Sequence, residues 1–526
     1  MSTTTTKLDS EITPKLNPIV FWPPFSLLLA AVVLNLIEPQ AFAAAIGFVN
    51  AWLLKYFGWL YTVTAMTSLG LCVWIGISRF GKVRLGGRHA KPLMSFWNWF
   101  AITLCTTIAT GILFWSTAEP LIHYTQPPAF LGIAGKTVAA ERFAMSALFL
   151  HWTIVPYSIY CVASIMFAFA FYNMQLPFSL GSMLVPLFGE RRSLAAGVAI
   201  DSICLYALVA GMAATLGTGI LTISGGLNSI IGVPRTSLVW GLISIAIVCT
   251  FVISSATGLM QGIRVLSDIN AKGLFALGLF VLVVGPWGAI LFAGLWGLLD
   301  FAWVFIRIGL FEGLRPSDHW ALEWSIFYWA VWMAWTPVTA CFLGRIAYGR
   351  TIREFLVVNL LLSSLFAFAW MAVWGASTLH MEKQGGALSL AMDQDGREAV
   401  SFALISNMQW GKTLVIFYVL SAFVCFVTSA DSNTTAMASL SSKGVTLEQP
   451  EAKTWLKIVW GTLVGTVAWV MISFADVEGV KILSNLGGFP AACLLLLVVI
   501  ALFRVSLNPD HYNAIERESP ASAKPD

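Results

Sequence analysis

The sequence predicts an all-α polytopic membrane protein of about twelve transmembrane helices, and three observations predict it. Of 526 residues, 58% are hydrophobic and only 11% are charged, where a soluble domain carries about 25% charged residues. The mean hydropathy is +0.80. Apolar runs long enough to cross a bilayer, which takes roughly 20 residues, recur along the whole chain. A water-soluble globule, a disordered chain, a collagen and a disulfide-rich secreted scaffold are excluded on the same grounds.

The runs fall at 18–38, 57–79, 96–118, 145–172, 195–223, 236–256, 272–297, 322–344, 354–377, 412–437, 455–475 and 481–503. Residues 1–17 lack the layout of a cleavable signal peptide, so the first run is expected to remain as an anchor. Runs longer than about 25 residues imply tilt or a break. Between the second and third runs lie Arg79, Lys82, Arg84, Arg88 and Lys91 without an acid among them. Further basic clusters are Arg191/Arg192 and Arg345, Arg350 and Arg353. Placing all of these in the cytoplasm puts both termini there and leaves Asp318, Glu382, Asp393, Asp395 and Glu398 in outside loops. The eight cysteines show no CxxC or Cys/His spacing, which makes them small core hydrophobes.

Motifs exclude more. Six dispersed histidines without HExxH, no GxxxxGK[ST] loop and no large soluble domain argue against a metal enzyme and against coupling to ATP within this chain. The expectation is a secondary transporter, not an enzyme, with a channel as the remote alternative. Transporter sites lie where mid-membrane helices are broken. The third run reads Cys105-Thr-Thr-Ile-Ala-Thr-Gly111 before Phe114-Trp115, and the eighth carries Trp329, Trp332 and Trp335 before Thr336-Pro337. These segments stand five spans apart, the spacing of a five-plus-five inverted repeat. The chain then divides into a tail (1–17), two additional helices (18–95), a first repeat (96–297), a second repeat with a linking segment at its start (298–503) and a short tail (504–526). Trp152, Tyr157 and Tyr160 surround Pro156 in the outer part of the fourth run. Such rings are commonly interfacial. Gathered with Trp329, Trp332 and Trp335 and with no acid nearby, they suit a permanent cation, attracted at about 0.5–2 kcal/mol per ring.

Here the chain resembles the betaine/choline/carnitine transporter family over nearly its whole length. The resemblance rests on Phe327-Tyr-Trp-Ala-Val-Trp-Met-Ala-Trp-Thr-Pro337 and Gly344-Arg-Ile-Ala-Tyr-Gly-Arg-Thr-Ile-Arg-Glu354. Support comes from Ser116-Thr-Ala-Glu-Pro-Leu121, His151-Trp152, Leu176-Pro177 through Gly189-Glu190, and Thr428-Ser-Ala-Asp-Ser432. It implies a LeuT-like inverted repeat, a homotrimer in the bacterial inner membrane, and a small quaternary-ammonium or sulfonium solute as cargo, with no nucleic-acid partner. Carried over by position, the aromatic box would be Trp152, Tyr157, Tyr160 and Trp332, flanked by Trp329 and Trp335. The family commonly has Trp where this chain has Tyr157. Its GxGxG stretch is eroded to Thr107, Ala109 and Gly111. Choline-preferring members tend to place an aspartate at the position of Gly111. A neutral Gly111 favours a zwitterion such as glycine betaine or carnitine over choline.

Na⁺ is the expected coupling ion, and no other cofactor is expected. Adjacent hydroxyls on Thr428 and Ser429 suit a hard cation, and in the resemblance they match the sodium-site hydroxyls, completed by backbone carbonyls near Cys105 and Ile108. The alternative is that these hydroxyls bond back to their own helix. A sodium-independent exchanger branch lacks the Thr-Ser pair and carries arginine where this chain has Asn270. Proton coupling is the runner-up, with Asp431 as its one candidate relay. Asp431 and Asp201 are otherwise expected to be satisfied structural acids. The short, mixed-sign C-terminal tail predicts nutrient supply without strong osmotic activation.

Overall fold

The computed structural model describes residues 14–107, 109–256, 259–317, 319–445 and 452–517. Helices α1 (Pro18–Ile37) and α2 (Pro39–Ile77) each start on proline, whose missing N–H is harmless in a first turn. Next, α3 (Phe96–Thr107) and α4 (Ala109–Thr125) form one span bent by 55°. The following span consists of α5 (Val138–Trp152) and α6 (Ile154–Ala168), interrupted at Thr153. Helices α7 (Glu190–Ile231), α8 (Ser237–Ala256) and α9 (Leu259–Val284) complete the first half. After α10 (Trp287–Val304), α11 (Phe327–Ala334) and α12 (Thr336–Ile346) belong to a second broken span, bent by 49°. Helix α13 (Ser363–Lys383) lies in the span Ile352–Lys383, and α14 (Gly411–Leu440) follows. Finally, α15 (Thr454–Leu507) carries two spans, Thr454–Phe474 and Val477–Leu507.

The two faces are told apart by what meets there. On one, Leu85 N–H donates to the Arg350 carbonyl, Gly349 N–H to that of Leu85, and Asn173 Nδ2 to that of Arg84. Asn173 also reaches Asn513. Arg353 donates to the carbonyls of Gly76 and Ser78. The basic clusters thus pack one end of the bundle. The start of α1 also belongs to this end, since α1 and α2 make one excursion across and back, and Lys15–Leu16 pairs antiparallel with Ser442–Lys443. On the opposite face Lys383 pairs with Glu141 at 2.6 Å, Lys136 with Glu382 at 3.6 Å, and Arg235 with Asp395 and Glu398. Asp318 lies outside the described residues. Chain direction follows: the broken span α3/α4 runs from the basic to the acidic face, and α11/α12 runs back. Two interrupted spans, five apart and opposite in direction, give the five-plus-five inverted arrangement.

One expected span needs correction. The run 272–297 is not a single helix, because Gly285-Pro286 separates α9 from α10; proline cannot supply the next helical N–H. Nor does α10 cross the bilayer, although it is long and apolar enough to do so with its continuation to Glu312. A Cβ at Gly285 would lie 3.4 Å from Ser377 Oγ, near the Lys383 end of its span. Beyond α10, Trp320 packs against His123 at 5.1 Å and 51°, close to the Thr125 end of α4. Between them Asp300 pairs with Arg142 at 2.6 Å. The segment therefore leaves and rejoins the acidic face. It buries only Ile290, Ala293, Gly294, Gly297 and Val304, a helical stripe. The described residues thus cross twelve times, and both described ends share the basic face.

Small residues permit the central packing. A Cβ at Gly211 would come 2.9 Å from that of Ala334, one at Gly487 2.6 Å from that of Ala210, and one at Gly488 2.4 Å from the Ala330 carbonyl oxygen. Backbone of α7 and α15 thereby closes directly on the break between α11 and α12.

The topology of α10 is testable. With Cys249 and Cys493 replaced by serine, single cysteines at Gly288 and Pro316 should both label with a membrane-impermeant maleimide from the same side of oriented vesicles. Labelling from opposite sides would make α10 a thirteenth crossing.

Candidate functional site

The site grows from the interruption at Thr153 (φ −112°, ψ −119°). Pro156 lacks the N–H that the Trp152 carbonyl would use in a continuous helix. The break lies mid-span within Val138–Asn173, so Trp152, Tyr157 and Tyr160 sit at membrane depth and not in the outer part of the span. Trp332 on α11 faces them. Its ring meets Trp152 at 5.5 Å and 79°, Tyr160 at 5.3 Å and 65°, and Tyr157 at 6.1 Å and 51°. Such edge-on contacts let each ring offer its negative face elsewhere.

Trp152, Tyr160 and Trp332 wall a cavity of about 50 Å³. Trp115, Trp152, Tyr160, Phe327, Tyr328, Trp332 and Trp335 give it an aromatic wall, while Thr107, Thr215, Thr218 and Ser484 line it with hydroxyls. No charged side chain is among its lining residues. Each hydroxyl already donates to a carbonyl of its own helix: Thr107 to Thr103, Thr215 to Gly211, Thr218 to Thr215 and Ser484 to Val480. What remains for a ligand is oxygen lone pairs.

Behind the wall stands a residue that the sequence showed only as part of the motif Ser116-Thr-Ala-Glu-Pro-Leu121. Glu119, fully buried on α4, accepts from Trp152 Nε1 at 2.8 Å, Tyr328 Oη at 2.5 Å and His151 Nδ1 at 2.6 Å. Ser325 Oγ lies 2.9 Å from His151 Nε2, on the far side of the ring. His123 Nε2 lies 3.5 Å from the same carboxylate, and Trp320 Nε1 donates to His123 Nδ1. Ligating atoms of Glu119, His123 and His151 all fall within 4.8 Å of one another, a spacing compact enough for a metal. Those of Glu119 and His151 are already taken up by hydrogen bonds. The missed signal was Glu119 and His123 at helical i,i+4 spacing just past the run 96–118, on the helix that continues to Thr125, since ionisable residues at membrane depth mark function by default.

The expected site residues divide. Gly111 lines the cavity because the Trp152 ring lies on it: a Cβ there would be 2.5 Å from Trp152 Cη2. Trp335 reaches α7, donating to the Gly211 carbonyl at 3.1 Å and to Thr215 Oγ1 at 3.0 Å. Trp332 Nε1 donates to the His151 carbonyl at 3.2 Å. Tyr157 is packed against Trp332 without lining the cavity, and Trp329 is buried against the edge of His151, away from it. Trp329 is thus absent from the cavity lining.

At the expected cation site, Thr428 Oγ1 donates to Val424 O at 2.8 Å, and Ser429 Oγ accepts from Asn433 Nδ2. Thr428 thus bonds back to its own helix and keeps lone pairs for a cation. Thr106 and Ser432 bring α3 against α14. Cys105 is held by Asn270 Nδ2, which also contacts Cys425. Ile108 lies outside the described residues. Asp201 accepts from Leu180 N–H at 2.7 Å and Asp431 from Ser254 at 3.0 Å.

Comparison with known proteins agrees with this geometry. Residues 19–510 match the family model described as BCCT, betaine/carnitine/choline family transporter. An ectoine/hydroxyectoine transporter of Virgibacillus pantothenticus is 31% identical, over 93% of this chain and 96% of the relative. The high-affinity choline transport protein of Escherichia coli (strain K12) is 29% identical, over 97% of this chain and 75% of the relative. The glycine betaine transporter OpuD of Bacillus subtilis (strain 168) is 29% identical, over 92% and 93%.

The contact between Gly111 and Trp152 predicts a coupled pair. Gly111→Ala should destabilise the purified protein by about 1–3 kcal/mol through overpacking, read as a lower Tm. In a Trp152→Ala background the same change should cost nearly nothing. Equal losses in both backgrounds would show that the ring does not occupy this space.

Proposed function

The chain belongs to the betaine/carnitine/choline transporter family, and on that footing we propose that it takes up a methylated onium zwitterion by sodium symport. Glycine betaine, carnitine or a sulfonium analogue is the cargo. The observation that carries this reading is the cage itself: Trp332 with Trp152 and Tyr160 at 5.3–5.5 Å, around a cavity without a charged lining residue. An onium head cannot donate a hydrogen bond, so π faces are what can hold it, and a zwitterion brings its own anion. Gly111 supports the zwitterion further, since the Trp152 ring fills the place an aspartate would need. Sodium would be held at Thr428 and Ser429, with carbonyls from the region of Cys105 and Ile108. Alternating access follows from rocking one broken-helix repeat against the other around a mid-membrane site. The basic face is placed in the cytoplasm by the positive-inside rule, in a bacterial inner membrane, with a homotrimer as the assembly.

Choline is the second reading, favoured by the Glu119 carboxylate directly behind Trp152. A substrate panel separates the two. Proteoliposomes with an inward sodium gradient should accumulate labelled glycine betaine or carnitine above equilibrium, and potassium in place of sodium should abolish accumulation. Uptake that only equilibrates would indicate a channel, sodium-independent counterflow an exchanger, and preference for choline the second reading.

Two substitutions report on the parts. Trp332→Leu should raise the apparent KM at least tenfold, the loss of about 1.4 kcal/mol, with protein level unchanged. Thr428→Ala with Ser429→Ala should remove the sodium dependence of uptake. An unchanged sodium response would move the ion elsewhere.

A further inference from the structure

Glu119 poses a problem that the cage alone does not solve. An acid at membrane depth is costly unless compensated, and the groups facing it are donors: His151 Nδ1, Trp152 Nε1 and Tyr328 Oη, with His123 Nε2 at 3.5 Å. Both carboxylate oxygens are thereby engaged as acceptors, Oε1 by His151 and Oε2 by Trp152 and Tyr328. That is the pattern of an ionised group, since a carboxylic acid would have to place a proton against one of these donors. On the far sides of the two rings, Trp320 Nε1 donates to His123 Nδ1 and Ser325 Oγ meets His151 Nε2. Among the described residues no lysine or arginine pairs with Glu119, whose partners are two imidazoles, an indole and a phenol.

The charge also lies where the cage is built. The Trp152 ring, held by the carboxylate through its N–H, lies on Gly111 and meets Trp332. Tyr328, held through its hydroxyl, lines the same cavity and meets Trp152 at 5.4 Å. Trp332 is tied one step further, because its N–H bonds the backbone carbonyl of His151, whose ring bonds Glu119. A carboxylate on an indole N–H drives electron density toward the ring face and strengthens its hold on a cation.

We infer that Glu119 is the positioning residue of the cage and, through Trp152 and Tyr328, its fixed countercharge for the onium head. This rests on the reading of the cavity as an onium site and adds a residue that touches no substrate.

The test compares glycine betaine with tert-butylacetate, its isostere with carbon in place of nitrogen, as competitors of labelled substrate in proteoliposomes. Glu119→Gln keeps the shape and removes the charge. Betaine should lose about tenfold in apparent affinity while the carbon isostere changes less than twofold. Loss of both by the same factor would reduce Glu119 to a structural role, and loss of neither would overturn the inference. Trp152→Phe serves as a second variant should Glu119→Gln fail to fold, because it keeps a π face but severs the bond to the carboxylate. It should raise the apparent KM for betaine at least fivefold, and an unchanged KM would refute the positioning role. Failure of the wild type to take up any onium solute would instead refute the proposed function.

Discussion

An indole in a low-dielectric interior needs a partner for its N–H, and Trp152, Trp332 and Trp335 all find it on a different helix. Trp152 bonds Glu119 on α4, Trp332 the backbone of His151 on α5, and Trp335 the backbone of Gly211 on α7. Each bond fixes a ring about its own axis and so decides where its face points. Remove these three anchors and the rings are merely bulky; with them, they form a wall. Trp329, whose Nε1 has no partner, is equally buried and takes no part.

The same bonds join the cage to the helix interruptions. Non-helical backbone is tolerated at membrane depth only where protein covers it or it lines a cavity. Here the aromatic groups share in covering it. Trp332 caps the carbonyl beside the Thr153 break, and the hydroxyl of Tyr418 reaches the Leu113 carbonyl on α4. Glycines on α7 and α15 supply the remaining closeness, with Gly211 and Gly488 pressed onto the chain around Ala334 and Ala330. A displacement of either broken span therefore cannot leave the ring geometry untouched.

Much of this was legible in the residues. The twelve crossings, the two interrupted spans and the ring set of Trp152, Tyr160, Trp332 and Trp335 follow from hydropathy, from Gly and Pro placement and from family resemblance. Less was legible where tertiary packing overrides composition. Helix α10 carries as much apolar surface as a span and yet returns to the face it left, because Gly285-Pro286 turns the chain and a stripe of small residues lets it lie on its neighbours. Trp329 sits three residues before Trp332, which on a helix turns its side chain onto His151 instead. Glu119 was visible as a letter but not as a hub: its partners Trp152 and Tyr328 are 33 and 209 residues away in the chain.

The ring of Trp152 resting on Gly111 has a consequence for how substrate choice can evolve. An acidic side chain at 111 needs the volume that the indole occupies, so the replacement cannot come first. Shrinking the indole first dismantles the wall on which any onium ligand depends. A change at 111 and a reseating of the Trp152 ring are therefore linked.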